Sequence, residues 1–74
     1  MEYNISDKLE WTVVFILEFG RKYGLNMKQA FNYLSRYKGI EFIERHYEYV
    51  HTQSFASMVE DISAYCHRHG GALV

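Results

Sequence analysis

Cys66, His67, Arg68 and His69 are the densest run of chemically capable side chains in the sequence. Three apart on a helix, Cys66 and His69 would share a face, and His46 and His51 are the other two imidazoles. Zinc needs four ligands converging at tetrahedral geometry, usually announced by paired short spacings such as C-x2-C with H-x3–5-H. With a single cysteine no such pairing exists. Cys66 reads instead as a small core residue, and His67 and His69 as cations suited to a helix C-terminus. Nucleophilic catalysis would take Cys66, one of the histidines and an acid such as Asp61. But Cys66 falls on an apolar stripe, where burial raises a thiol's pKa and makes it inert. No glycine-rich loop offers an oxyanion hole or a phosphate cradle. The expectation is a protein that is not an enzyme, with no catalytic residue, no metal site and no cofactor.

A second constellation runs Tyr47-Glu48-Tyr49-Val50-His51-Thr52 and, eight residues on, Glu60-Asp61-Ile62. A helix end leaves carbonyls unpaired and the next helix start leaves N–H groups unpaired. His51 can donate to the former, Thr52 can accept from the latter, and Asp61 can fix the imidazole. His51, Thr52 and Asp61 are therefore expected to form a polar junction that specifies the fold.

Charge is distributed unevenly behind a net value of −1. Residues 19–40 hold Arg21, Lys22, Lys28, Arg36 and Lys38 with no acid, while the rest carries all nine acids. Interleaved with Tyr23, Tyr33 and Tyr37, these bases could meet nucleic acid or an acidic protein surface. Most of them also complement helix C-termini. A helix-turn-helix is disfavoured, because Glu41, Glu44 and Glu48 would face DNA phosphates with only Arg45 between them.

The elements that position these groups follow from periodicity and punctuation. Helix one is expected over 7–23, with Asp7 as N-cap, Glu10 as its capping-box partner and Gly24 as its stop. Leu9, Val13, Ile16, Leu17 and Gly20 lie on one face, yet Trp11, Val14, Phe15 and Phe19 leave little polar circumference, as in a buried helix. Helix two spans 26–38, opened by Asn26 with Gln29 and closed by Gly39; Met27, Ala30, Phe31 and Leu34 form its stripe. Helix three runs 40–50 with Ile40, Ile43, Tyr47 and Val50 inward and a Glu41–Arg45 pair outside. Helix four spans 54–69 after a Thr52 or Ser54 cap, carries Phe55, Met58, Val59, Ile62, Tyr65 and Cys66 inward, and stops at Gly70-Gly71. Ala72 to Val74 are either frayed or packed back. No alternating run supports a strand, so the expected fold is all-α, one compact four-helix domain over residues 1–74 with short connections.

Composition bounds the rest. At 49% hydrophobic and 18% aromatic the chain is not disordered, but at 74 residues it buries only about 60% of its unfolded surface. Its longest apolar run, Val13–Leu17, is far short of the roughly 20 residues a bilayer requires. No basic stretch precedes an apolar run at the start, so no secretory signal is visible, and a lone cysteine fits a reducing compartment. A cytoplasmic protein is expected.

The pattern Tyr47-x-x-Val50-His51-Thr52 followed by Val59-Glu60-Asp61-Ile62 resembles a family of short bacterial proteins known as a domain of unknown function. Val14-Phe15-Ile16-Leu17-Glu18, with an aromatic soon after, is similar to that family's N-terminal half. The resemblance spans roughly residues 10 to 66; family members usually have Leu where this chain has Val50, which keeps the apolar role. It implies an all-helical protein, common in gut anaerobes and Firmicutes and often encoded beside an ADP-ribosyltransferase-like protein. It implies, too, an antitoxin or dedicated binding partner.

The functional expectation is therefore a non-enzymatic protein-interaction module, with a protein partner or a homodimer. Thirteen aromatic residues exceed what so thin a core should hold, and surface Trp, Tyr and Phe are what binding surfaces use. Tyr3, Trp11, Tyr33, Tyr37, Phe42 and Tyr49, each off its helix's main stripe, are expected at the contact. The alternatives are a homodimeric structural protein and a nucleic-acid-binding regulator using residues 19–40.

Overall fold

The computed structural model describes residues 5–72 and contains α1 (Ile5–Tyr23), α2 (Met27–Arg36), α3 (Gly39–Arg45), α4 (Tyr47–Val50) and α5 (Phe55–Arg68). No strand occurs among the described residues, so the fold is all-α as its periodicity implies. Helix α1 packs on α2 and α5, and α3 packs on both α2 and α5 as well.

Several ends follow local chemistry as expected. Asn26 Oδ1 accepts from Gln29 N–H at 2.8 Å while Gln29 Oε1 accepts from Asn26 N–H at 2.9 Å, a complete capping box. Ser54, and not Thr52, caps α5, its Oγ accepting from Ser57 N–H at 3.1 Å. At the far end Gly70 adopts φ +97°, Gly70 N–H donates to the His67 carbonyl and Gly71 N–H to the Cys66 carbonyl, the paired bonds of a Schellman stop. Asp7 does not cap α1: the helix starts at Ile5, and Asp7 sits inside its first turn, where a carboxylate still complements the dipole.

The expected third helix is two. His46 leaves the helical region at φ −118°, ψ 29°, and its carbonyl then accepts from both Tyr49 and Val50 N–H, starting the single turn of α4. His, Tyr, Tyr and Val are all indifferent helix formers. Ile43, Tyr47 and Val50 keep their inward register across the break, and Ile40 is half-buried. The 3.6-residue spacing therefore survives and hides the interruption.

Helix α1 buries a different face from the one expected. Phe15, Ile16, Phe19 and Gly20 are buried, whereas Leu9 is 62% exposed and Leu17 46%. Its inward edge is a ladder of rings four residues apart, Trp11, Phe15, Phe19 and Tyr23, with successive centroids 5.4, 6.0 and 5.0 Å apart. Phe19 passes the stack to Tyr33 of α2 (5.7 Å) and Tyr33 to Tyr37 (4.9 Å). At the other end Trp11 stacks on Phe55 of α5 and meets Tyr47 edge-on. Each such ring pair adds about 0.5–1.5 kcal/mol to its area burial, which is how a small core absorbs most of the aromatic excess.

Gly39, expected as helix punctuation, acts instead through its lack of a side chain. The left-handed residue between α2 and α3 is Lys38 (φ +71°), not Gly39. Gly39 is buried, and a Cβ there would lie 2.8 Å from Leu34 Cδ2 and 3.0 Å from Cys66 Sγ. Because a non-glycine residue pays about 1 kcal/mol or more at positive φ, Lys38→Gly should raise stability by about 0.5–1 kcal/mol. A urea midpoint that falls instead would show that the Lys38 side chain contributes more than its backbone costs.

Candidate interaction surface

Among the described residues the large exposed hydrophobic side chains are Leu9, Val14, Leu17, Met27, Phe31 and Tyr49. All but Tyr49 lie on α1 and α2. The two helices meet where a Cβ on Gly20 would touch Ala30 Cβ at 3.4 Å, and Phe19 stacks on Tyr33 on the core side of that seam. At 3.6 residues per turn, Leu17 on α1 and Phe31 on α2 lie round from the seam on the opposite side, away from the core. Along α1, Glu10, Val14, Leu17 and Arg21 follow one another at spacings of four, three and four and occupy one outer strip. Single exposed apolar residues need no explanation; five on one helical hairpin do.

The aromatics expected at a contact are placed differently. Trp11, Tyr33, Tyr37 and Phe42 are half-buried and engaged by neighbouring rings, Phe42 by Tyr65 at 4.8 Å and by His46 at 4.8 Å. Trp11 lies on α1's buried side rather than off it. Tyr49, at 53% exposure, is the one that faces solvent, and Tyr3 lies outside the described residues. What the composition concealed is that the accessible apolar surface is mostly aliphatic. Its one sequence signal was the extra apolar width of helix one.

At the α4–α5 junction two of the three polar residues act locally. His51 Nδ1 pairs with the Tyr47 carbonyl at 2.8 Å and its ring stacks on Tyr47 at 4.9 Å. Thr52 Oγ1 donates to the Tyr49 carbonyl at 2.7 Å, so it satisfies the end of α4 rather than the start of α5. Asp61 is exposed on α5 and makes no hydrogen bond or ion pair among the described residues, so it does not orient the imidazole.

Cys66, His67 and His69 do not converge. Cys66 is fully buried beside Gly39, His67 Nδ1 pairs with the Gly71 carbonyl at 3.0 Å, and His69 packs on Tyr65. Among the described residues no three His, Cys, Asp or Glu side chains gather as a metal site would require. Burial pushes the Cys66 thiol up to about 11, against a smaller lowering by the Gly39 backbone N–H. Burial likewise raises Tyr33, whose hydroxyl has no hydrogen-bond partner among the described residues. The folded state thus favours the neutral thiol. That contribution is complete below the unfolded thiol's pKa, near 9, and is lost as pH rises through about 11. Stability should therefore decline over that window, and Cys66→Ser should flatten the decline. Equal slopes for the two proteins would refute the assignment.

The basic segment is partly engaged within the fold. Arg21 pairs with Glu18 at 3.5 Å and Lys22 with Glu60 at 4.0 Å, while Arg36 lies over the Tyr37 ring at 5.6 Å. Lys28 and Lys38 are exposed and make no ion pair among the described residues. The Glu41–Arg45 pair forms at 2.9 Å. No helix of the described residues is long and apolar enough to cross a membrane.

A small all-helical domain with a ring-stacked core and one apolar outer hairpin face is the class these observations define. Residues 10–69 match the family described as protein of unknown function DUF3791, and the chain belongs to that family. No curated protein and no solved structure matches the chain.

Proposed function

We propose that the chain is a non-enzymatic protein-binding domain that presents the outer side of α1, with the adjoining flank of α2, to a protein partner. The observation that carries this reading is the gathering of Leu9, Val14, Leu17, Met27 and Phe31 on one hairpin, outside a core that is already closed. Water around such a patch is released on contact, at roughly 25 cal/mol per Å2 of apolar surface. The antitoxin-like role implied by the resemblance to short bacterial proteins fits this reading. A binding partner of a neighbouring ADP-ribosyltransferase-like protein needs a surface and no catalytic centre of its own.

The test is co-expression with the product of the adjacent gene, with the eluted mass read by light scattering. A hetero-complex formed by the native chain and lost in Leu17→Glu/Phe31→Glu supports the reading, provided the variant keeps its helical circular dichroism. A complex indifferent to those substitutions would place the contact elsewhere. No complex would remove the antitoxin-like role.

A further inference from the structure

The outer strip of α1 reads acid, apolar, apolar, base: Glu10, Val14, Leu17, Arg21. Its spacings of four, three and four are the same read from either end, and they are the seam spacing of paired helices. Reversal about its centre, between Phe15 and Ile16, exchanges Glu10 with Arg21 and Val14 with Leu17. We infer that this strip is a self-association surface, pairing α1 antiparallel with α1 of a second copy of the chain across a two-fold axis. The inference rests on the reading of α1's outer side as a protein contact.

An isologous contact must be complementary to itself under a half-turn, and the strip meets that condition in charge and in apolar pattern together. A parallel pairing would oppose Glu10 to Glu10 and Arg21 to Arg21. A partner of uniform sign would meet like charge at one end of the strip. Glu10 is exposed and has no ion-pair partner among the described residues, so it is available to a second copy. Among the described residues Arg21 is held by a single exposed i, i+3 contact, with Glu18 at 3.5 Å, its own side chain 78% accessible. Phe31 and Met27, exposed on α2, add apolar surface on the neighbouring helix.

One helix face with its flank is smaller than the roughly 800 Å2 per partner of a standard interface. The dimer should therefore be weak, with Kd on the order of 100 µM. Sedimentation equilibrium of the whole untagged chain, from about 10 µM to about 1 mM, should show the mass rising from the monomer's 8.8 kDa towards twice that value. Leu17→Glu should weaken association at least about tenfold, since the axis counts each substitution twice. Glu10→Arg and Arg21→Glu should each weaken it by about threefold to tenfold, and the double exchange Glu10→Arg/Arg21→Glu should restore it.

Rescue by the exchange is the outcome that only opposed ends produce. A chain monomeric throughout that range overturns the inference, as does a dimer that survives Leu17→Glu or an exchange that does not rescue. If the chain is monomeric and yet loses its complex with the neighbouring gene product on Leu17→Glu/Phe31→Glu, self-association fails while the contact surface stands.

Discussion

Phe19→Ala should leave much of the domain unfolded under conditions in which the native chain is folded. Phe19 is completely buried, with ring centroids of Phe15, Tyr23 and Tyr33 at 6.0, 5.0 and 5.7 Å. It is the link by which the α1 ladder reaches α2. Truncating a buried Phe costs about 3–5 kcal/mol through lost transfer energy and the cavity left behind. A domain of this size sits near the low end of the usual 5–15 kcal/mol of stability. The removed interaction is therefore comparable to the whole. Urea denaturation followed by far-ultraviolet dichroism reads the effect directly, and Leu17→Ala is the matched control. Leu17 projects outwards, so its loss should stay within about 0.5 kcal/mol. Comparable losses at the two positions would mean that the buried and exposed faces of α1 have been assigned the wrong way round.

Gly20→Ala, one residue along, should cost about 2–3 kcal/mol and lower the melting temperature by roughly 10–20 °C. Propensity alone predicts the opposite, because alanine stabilises a helix interior by about 0.5–1 kcal/mol over glycine. Space decides the sign. After the left-handed turn at Gly24 the chain folds back over α1, and Leu25 N–H donates to the Gly20 carbonyl at 2.8 Å. A Cβ on Gly20 would lie 2.6 Å from the Leu25 carbonyl oxygen, an approach real Cβ atoms do not make. That oxygen belongs to the backbone and cannot rotate aside, so relief requires moving the α1–α2 turn and opening the seam. Gly39 differs, because there the nearest atoms are side-chain tips that can yield. A Gly20→Ala protein as stable as the native chain would show that the turn is looser than its hydrogen bond implies.

These two adjacent residues also mark where sequence reasoning stops. Asn26 with Gln29, Ser54, and Gly70-Gly71 were legible because their partners lie within a few positions and the chemistry of a helix end is local. Which side of α1 is buried was not legible. Leu9, Val13, Leu17 and the rings of Trp11, Phe15 and Phe19 together surround the axis, and such a helix has no unique inward direction until its neighbours choose one. The roles of Gly20 and Gly39 depend on Leu25, Leu34 and Cys66 approaching in space, and nothing in a glycine codon separates a tight approach from a stop. The break at His46 was masked because Ile43, Tyr47 and Val50 stay in register through it. The candidate surface was only half visible: an excess of apolar residues pointed to a contact, but stacking engaged most of the aromatic share and left, with Phe31 and Tyr49, mainly aliphatic side chains outside.

The ladder that carries Trp11 has an optical consequence. Seven tyrosines share the chain with one indole. Tyr47 touches that indole directly, and Tyr23, Tyr33 and Tyr37 join it through Phe15 and Phe19. Light absorbed by the phenols should therefore pass by resonance transfer to Trp11 in the folded chain and be emitted as tyrosine light once the chain opens. The ratio of the two emissions is a built-in, label-free gauge of whether the core of the purified chain is assembled, usable at concentrations well below those that calorimetry needs.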